Sequence, residues 1–247
     1  MKYFFYTNHY IFYISLGLTP SIIWLIFYLK KDIHPESKKM ILKIFLGGML
    51  AAISAAIIEI IAEKLLSLII KPSSFLFILF YYFIGVALVE EFSKYFIVKK
   101  EVLKNPEFDE PVDAMIYMIT SALGFAALEN IFTIFPGLRN LSLIEATSIT
   151  TFRFLGATFL HALCSGTIGY FLALSIFNKK KIPYIFIGIT LASILHGLYN
   201  FSIINLNKDF NFSLLIIFIL VSLALFISFA FKEVKKIKSI CTIKINK

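Results

Sequence analysis

The sequence predicts an all-α membrane protein, a bundle of about seven transmembrane helices with the N-terminus outside and the C-terminus in the cytoplasm. Three observations predict it. The 247 residues are 59% hydrophobic and 16% charged, too few polar groups to surface a soluble domain of this length. Apolar stretches long enough to cross a bilayer recur along the whole chain, and runs such as 214–231 are apolar on every face, unlike the alternating strands of a membrane barrel. Lys and Arg gather in alternate connections, 17 on one side and 5 on the other, and the cytoplasm takes the richer side.

The spans follow in order. Residues 10–29 form the first; Pro20 permits a kink, and no small-residue cleavage site precedes Lys30, so the run reads as a span and not as a cleavable signal. The second is 41–62, with Glu59 and Glu63 near its end read as interfacial. Pro72-Ser73-Ser74 announces the third, 75–98, and Pro111 opens the fourth, 111–135. The fifth, 148–177, exceeds the length a bilayer requires and is expected to tilt or protrude. Pro183 opens the sixth, 182–204, and the seventh is 210–231. The chain reads as one membrane domain, 1–247, with its motifs between about 75 and 204 and a basic tail at 232–247 lying on the anionic inner leaflet. The net charge of +9 therefore points to the lipid bilayer as partner and not to nucleic acid. Cys164 and Cys241 imply no disulfide framework, and Cys164 reads as a small packing residue.

Ionisable side chains inside a bilayer are costly, so each needs a reason. Here they fall on four consecutive spans. The third carries Glu90, Glu91 and Lys94, and spacings of three and four residues let Lys94 meet either carboxylate on one helix face. A single Glu–Lys pair neutralises itself; the second Glu leaves a negative charge that calls for a metal, a proton or another cation. The fourth span carries Glu129 and Asn130, where an interfacial carboxylate reaching water is the bland alternative. The fifth carries Arg153 and His161, with Ser165 one turn on; Arg153 offers counter-charge to a buried Glu. The sixth carries His196 and Asn200 at i and i+4 on one face, with Gly197 allowing close approach. Any one of these has an ordinary structural explanation, such as an interhelical hydrogen bond. Together they are expected to converge, with Glu90, Glu91, Glu129, His161 and His196 lining one polar cavity. The boundaries above set Glu90 and Glu91 nearer the cytoplasm than Glu129, so a tilt or a broken helix must bring them together.

In this order, the Glu-Glu-x-x-Lys of Glu90, Glu91 and Lys94, the Phe-x-x-x-Glu-Asn of Phe125, Glu129 and Asn130, His161 following Arg153, and the His-x-x-x-Asn of His196 and Asn200 resemble the motifs of the PrsW family of intramembrane proteases. That family belongs to a wider group with the CAAX prenyl endopeptidases and bacterial self-immunity proteins; CAAX-type relatives have His where Glu129 stands. The resemblance spans about residues 89–200 and implies peptide-bond hydrolysis within or beside the plasma membrane. It also suggests a single-span membrane protein, such as an anti-sigma factor, as substrate.

In that reading Glu90 and Glu91, with His161, position and deprotonate a water, while His196 and Asn200 donate to the oxyanion. Lys94, Glu129, Asn130 and Arg153 support them. Glu90, Glu129, His161 and His196 are also a donor set suited to a divalent metal such as Zn2+, although the same groups could run a metal-free hydrolysis. Two other functions fit the composition: a non-catalytic scaffold or immunity protein on the same fold, and a cation or proton transporter. The full set of motif residues disfavours the first. The short chain, without a visible inverted repeat, disfavours the second.

Overall fold

The computed structural model describes residues 2–135, 141–177 and 184–237, with side chains from residue 10 onward. The basic turn at 178–181, Pro183, Arg139 and most of the basic tail lie outside the described residues. Among the described residues the chain is helical without strands, and seven helical segments are long and apolar enough to cross a membrane. Helix α1 (Lys2–Leu29) is the first span, and Pro20 stays inside it. Helix α2 (Lys38–Ser67) is the second. The third is composite: α3 (Phe75–Phe80), a π-helical stretch (Tyr81–Leu88), then α4 (Val89–Glu101). Next come α5 (Pro111–Ile134), the broken pair α6 (Leu143–Leu155) and α7 (Ala157–Phe177), then α8 (Tyr184–Asn205) and α9 (Asn211–Val234).

The starts are fixed by side-chain caps. Ser37 accepts the Met40 N–H at the head of α2, and Ser74 does the same for Phe77 at α3. Pro111 sits in the first turn of α5 behind a Glu110/Asp113 capping box, and Ser142 with Glu145 makes the box that opens α6. That last box starts the fifth span five residues earlier than expected. Its excess length is not taken up by tilt alone, because the helix breaks at Gly156, which joins α6 to α7. Helix α2 also runs five residues beyond the expected end, since nothing after Ala62 breaks a helix before Pro72.

Helix α5 is the axis of the bundle, buried along nearly its whole length against α1, α2 and α7. Small residues permit this. A Cβ on Gly48 would stand 2.0 Å from the Ser121 carbonyl oxygen, and one on Gly124 would stand 1.9 Å from that of Phe45. Helices α2 and α5 therefore cross with backbone against backbone. The perimeter is apolar: Leu42, Leu46, Leu50, Phe218 and Leu225 face outward, as lipid requires. At one end the α1–α2 connection meets the α4–α5 connection through Ser37–Glu107 at 2.8 Å and His34–Glu110 at 2.8 Å, and the first turns of α2 join the end of α4 through Lys43–Glu101.

A methyl at the α2–α5 crossing has nowhere to go. Gly124→Ala is expected to cost about 1–3 kcal/mol, read as a lower melting temperature in detergent; an unchanged melting temperature would contradict the crossing.

Candidate active site

Lys94 is the centre of the polar cluster and is completely buried. Its ammonium has three protons to give. It bonds Glu91 Oε1 at 2.7 Å and Glu90 Oε2 at 3.2 Å, on the i+3 and i+4 spacings of α4, and lies 2.7 Å from His161 Nδ1. The Phe125 ring closes the remaining side, with Nζ 4.3 Å from its centroid. The π-helical stretch just before α4 matters here. Its wider turns reset the helical register, so Glu90, Glu91 and Lys94 point into the bundle while Leu88 and Phe92 point out.

Each histidine is held from behind by a carboxylate. Glu91 Oε1 is 2.9 Å from His196 Nδ1, and its Oε2 accepts from Ser165 at 2.8 Å. Glu129 Oε2 is 2.8 Å from His161 Nε2, and its Oε1 is 3.0 Å from Arg153 Nη2. A carboxylate can only accept, so the ring nitrogen facing it carries the proton. In the neutral rings, the His196 Nε2 and His161 Nδ1 lone pairs are then the ones turned toward Glu90, 3.9 Å and 3.7 Å from its Oε2. The rings meet edge to face with centroids 5.0 Å apart.

An open cavity of about 830 Å³ reaches this cluster. Glu90, Glu129, Arg153, His161, His196 and Asn200 line it, so the predicted groups of four spans do converge. The helix break at Gly156, itself in the wall, helps bring Glu129 and Arg153 beside a cluster rooted on α4. The Asn200 side chain makes no hydrogen bond to the protein among the described residues, which leaves its amide free for a ligand.

Two predicted members stand elsewhere. Glu91 lies behind the wall, fully buried, with both oxygens engaged. Asn130 is a joint and does not face the cavity: its Oδ1 accepts from Arg153 Nε at 2.5 Å, and its Nδ2 donates to Thr158 at 3.0 Å and to the Gly17 carbonyl at 3.4 Å. Conversely, Glu59 lines the cavity although its position suggested an interfacial residue. The extra length of α2 puts it two turns inside the helix, and the missing helix breaker before Pro72 was the available signal.

Three of the cluster's donors suit a metal. Glu90, His161 and His196 each offer an atom within 4.8 Å of the others, and a carboxylate behind each imidazole is the usual support for a ligating histidine. Glu129 is on the far side of the His161 ring from this set. Lys94 occupies the His161 Nδ1 lone pair in this structure, so an ion could join only as the ammonium shifts toward Glu91.

Two imidazoles, their carboxylates and an open cavity thus sit together inside a bundle of seven membrane-length helices. The comparisons with known proteins narrow the class. The sequence model of the family described as PrsW family intramembrane metalloprotease matches residues 36–227. Protease PrsW of Geobacillus kaustophilus is 32% identical over 190 residues, covering 76% of this chain and 77% of that protein. Protease PrsW of Bacillus subtilis is 29% identical over 192 residues, 76% and 81% of the two chains. That of Clostridioides difficile is 28% identical over 210 residues, 83% and 84%. No solved structure gives a significant match. The chain belongs to the PrsW family: it is a multi-pass membrane protease.

Removing the central cation strands two buried carboxylates. Lys94→Met is expected to destabilise the protein by about 3–5 kcal/mol. Adding Glu91→Gln should recover part of that loss, measured as a double-mutant cycle of unfolding in detergent. Independent, additive effects would contradict the network.

Proposed function

We propose that the cavity is the active site of an intramembrane endopeptidase that hydrolyses a peptide bond in a membrane-associated protein, with Glu90 as the general base. The single observation that carries this is the convergence of Glu90, His161, His196 and Asn200 on one open cavity. Glu90 Oε2 is engaged by Lys94, while Oε1 has no protein partner among the described residues and is the oxygen that takes the proton of a water in the cavity. The water oxygen attacks the scissile carbonyl carbon, and the Asn200 amide donates to the oxyanion that forms. Glu90 then returns its proton to the amine of the leaving segment, which breaks the C–N bond and regenerates the carboxylate. His196 Nε2 and Lys94 fix the position of the water and the charge of Glu90. Glu91 and Glu129 act one step back, holding His196 and His161 in the tautomers that face the reaction. This differs from the expectation that His196 donates to the oxyanion, since Nδ1 is held by Glu91 and Nε2 is turned toward Glu90.

A divalent ion such as Zn2+, held by Glu90 Oε2, His161 and His196, would polarise the water and the carbonyl. The substrate class we favour is a single-span membrane protein of the anti-sigma factor type. The positive-inside bias supports an N-terminus outside and a C-terminus in the cytoplasm.

The test is cleavage of candidate single-span proteins by the purified protease in detergent. Glu90→Gln and His161→Ala are each expected to abolish cleavage while the protein still inserts and folds; unchanged cleavage by either would overturn the assignment.

A separate variant probes the oxyanion site. Asn200→Ala should lower kcat by about 10²-fold or more with little change in KM. A packing role predicts the reverse: a modest loss of melting temperature with normal turnover per folded molecule.

A further inference from the structure

A second cluster of acids lies away from the catalytic cavity, where the α1–α2 connection meets the head of α5. Asp32, Glu36 and Asp113 each bring a carboxylate oxygen within 4.8 Å of the other two. One oxygen of each is held by a protein donor. Asp32 Oδ1 accepts from the His34 N–H at 3.1 Å, and Glu36 Oε2 accepts from the Tyr117 hydroxyl. Asp113 Oδ2 accepts from the N–H groups of Glu110 at 2.7 Å and Asp109 at 3.1 Å.

Asp113 and Glu36 also share a side-chain hydrogen bond, and the telling oxygen is the second one of Asp32. Asp32 is only 8% exposed, and its Oδ2 is buried without any hydrogen-bond partner. A buried acceptor left bare is costly and rare in a folded protein. Among the described residues no Lys or Arg forms an ion pair with any of the three acids, although Lys38 lines the neighbouring groove. Glu36 and Asp113 stand close enough to share a proton, yet that proton would leave Asp32 Oδ2 still bare.

We propose that Asp32, Glu36 and Asp113 bind a hard divalent cation, Ca2+ or Mg2+, that pins the 30–37 connection to the first turn of α5. All three donors are carboxylate oxygens, the ligands such ions select, and their separation suits a single ion with metal–oxygen distances of roughly 2.1–2.6 Å. The remaining positions of its coordination shell are open to water. The site stands apart from the catalytic cluster and does not depend on the protease reading. Its role is structural: α5 carries Glu129 and the bundle's axis, so the ion sets how firmly the head of that helix is anchored.

The experiment uses the purified full-length protein in detergent. Its melting temperature is followed as Ca2+ or Mg2+ is added to wild type, Glu90→Gln, Asp32→Asn and Glu36→Gln. Wild type and Glu90→Gln are expected to shift upward with added ion, and the shift should be lost in Asp32→Asn and Glu36→Gln. In parallel, Tb3+ bound to wild type should give emission sensitised through Tyr117, displaced by Ca2+; this keeps the test decisive should either acid variant fail to fold. No shift and no sensitised emission in wild type would overturn the site in favour of a shared proton alone. A shift that persists in Asp32→Asn, or is lost in Glu90→Gln, would overturn it in favour of binding elsewhere.

Discussion

The structure depends on one buried ammonium. Lys94 stands among apolar helices with three partners on two helices: Glu90, Glu91 and His161. Isolated charges do not survive such surroundings, and the cluster persists because every charge in it is answered. Lys94 answers the α4 carboxylates, Arg153 answers Glu129, and the two acids behind the rings hold the imidazoles. Orientation follows from the same contacts. A group that must bond Lys94 or Glu91 to be tolerated inside the membrane is thereby aimed at Glu90, so the conditions for stability and for chemistry coincide.

Helix geometry delivers these groups to one place. Straight spans would leave Glu129 and the α4 carboxylates at different depths. The π-helical stretch re-registers α4, and the break at Gly156 redirects the fifth span beside the cavity. The glycine contacts seat α2 directly on α5, and on α4 Lys94 reaches the Phe125 ring of α5 while Ser121 donates to the Lys94 carbonyl at 3.0 Å. Irregular helix is tolerated at this depth because it borders the protein interior and a cavity, not lipid.

Much of this was legible in the sequence, for specific reasons. The spans were readable because lipid demands continuous apolar residues, and the Glu90/Glu91/Lys94 pairing because i+3 and i+4 neighbours share a face. Arg153 as counter-charge to a buried Glu was readable by the same logic of compensation. What escaped depends on three-dimensional direction. Adjacent residues such as Glu90 and Glu91 look alike in sequence, yet a rotation of about 100° per residue sends one to the cavity and the other behind it. Asn130 and Glu129 divide in the same way, into a joint and a cavity wall. Glu59 was hidden by a helix end set too early, and the break at Gly156 gives little warning, since glycine is common within membrane helices.

The central claim is that the carboxylates behind the two imidazoles fix which ring nitrogen carries its proton toward them and which is turned toward Glu90. Nitrogen-15 NMR of histidine-labelled protein in detergent at neutral pH tests it directly, and with four histidines in the chain the signals can be assigned by substitution. The account predicts a proton at His196 Nδ1 and at His161 Nε2, each facing its carboxylate. The opposite tautomer at either ring would contradict it.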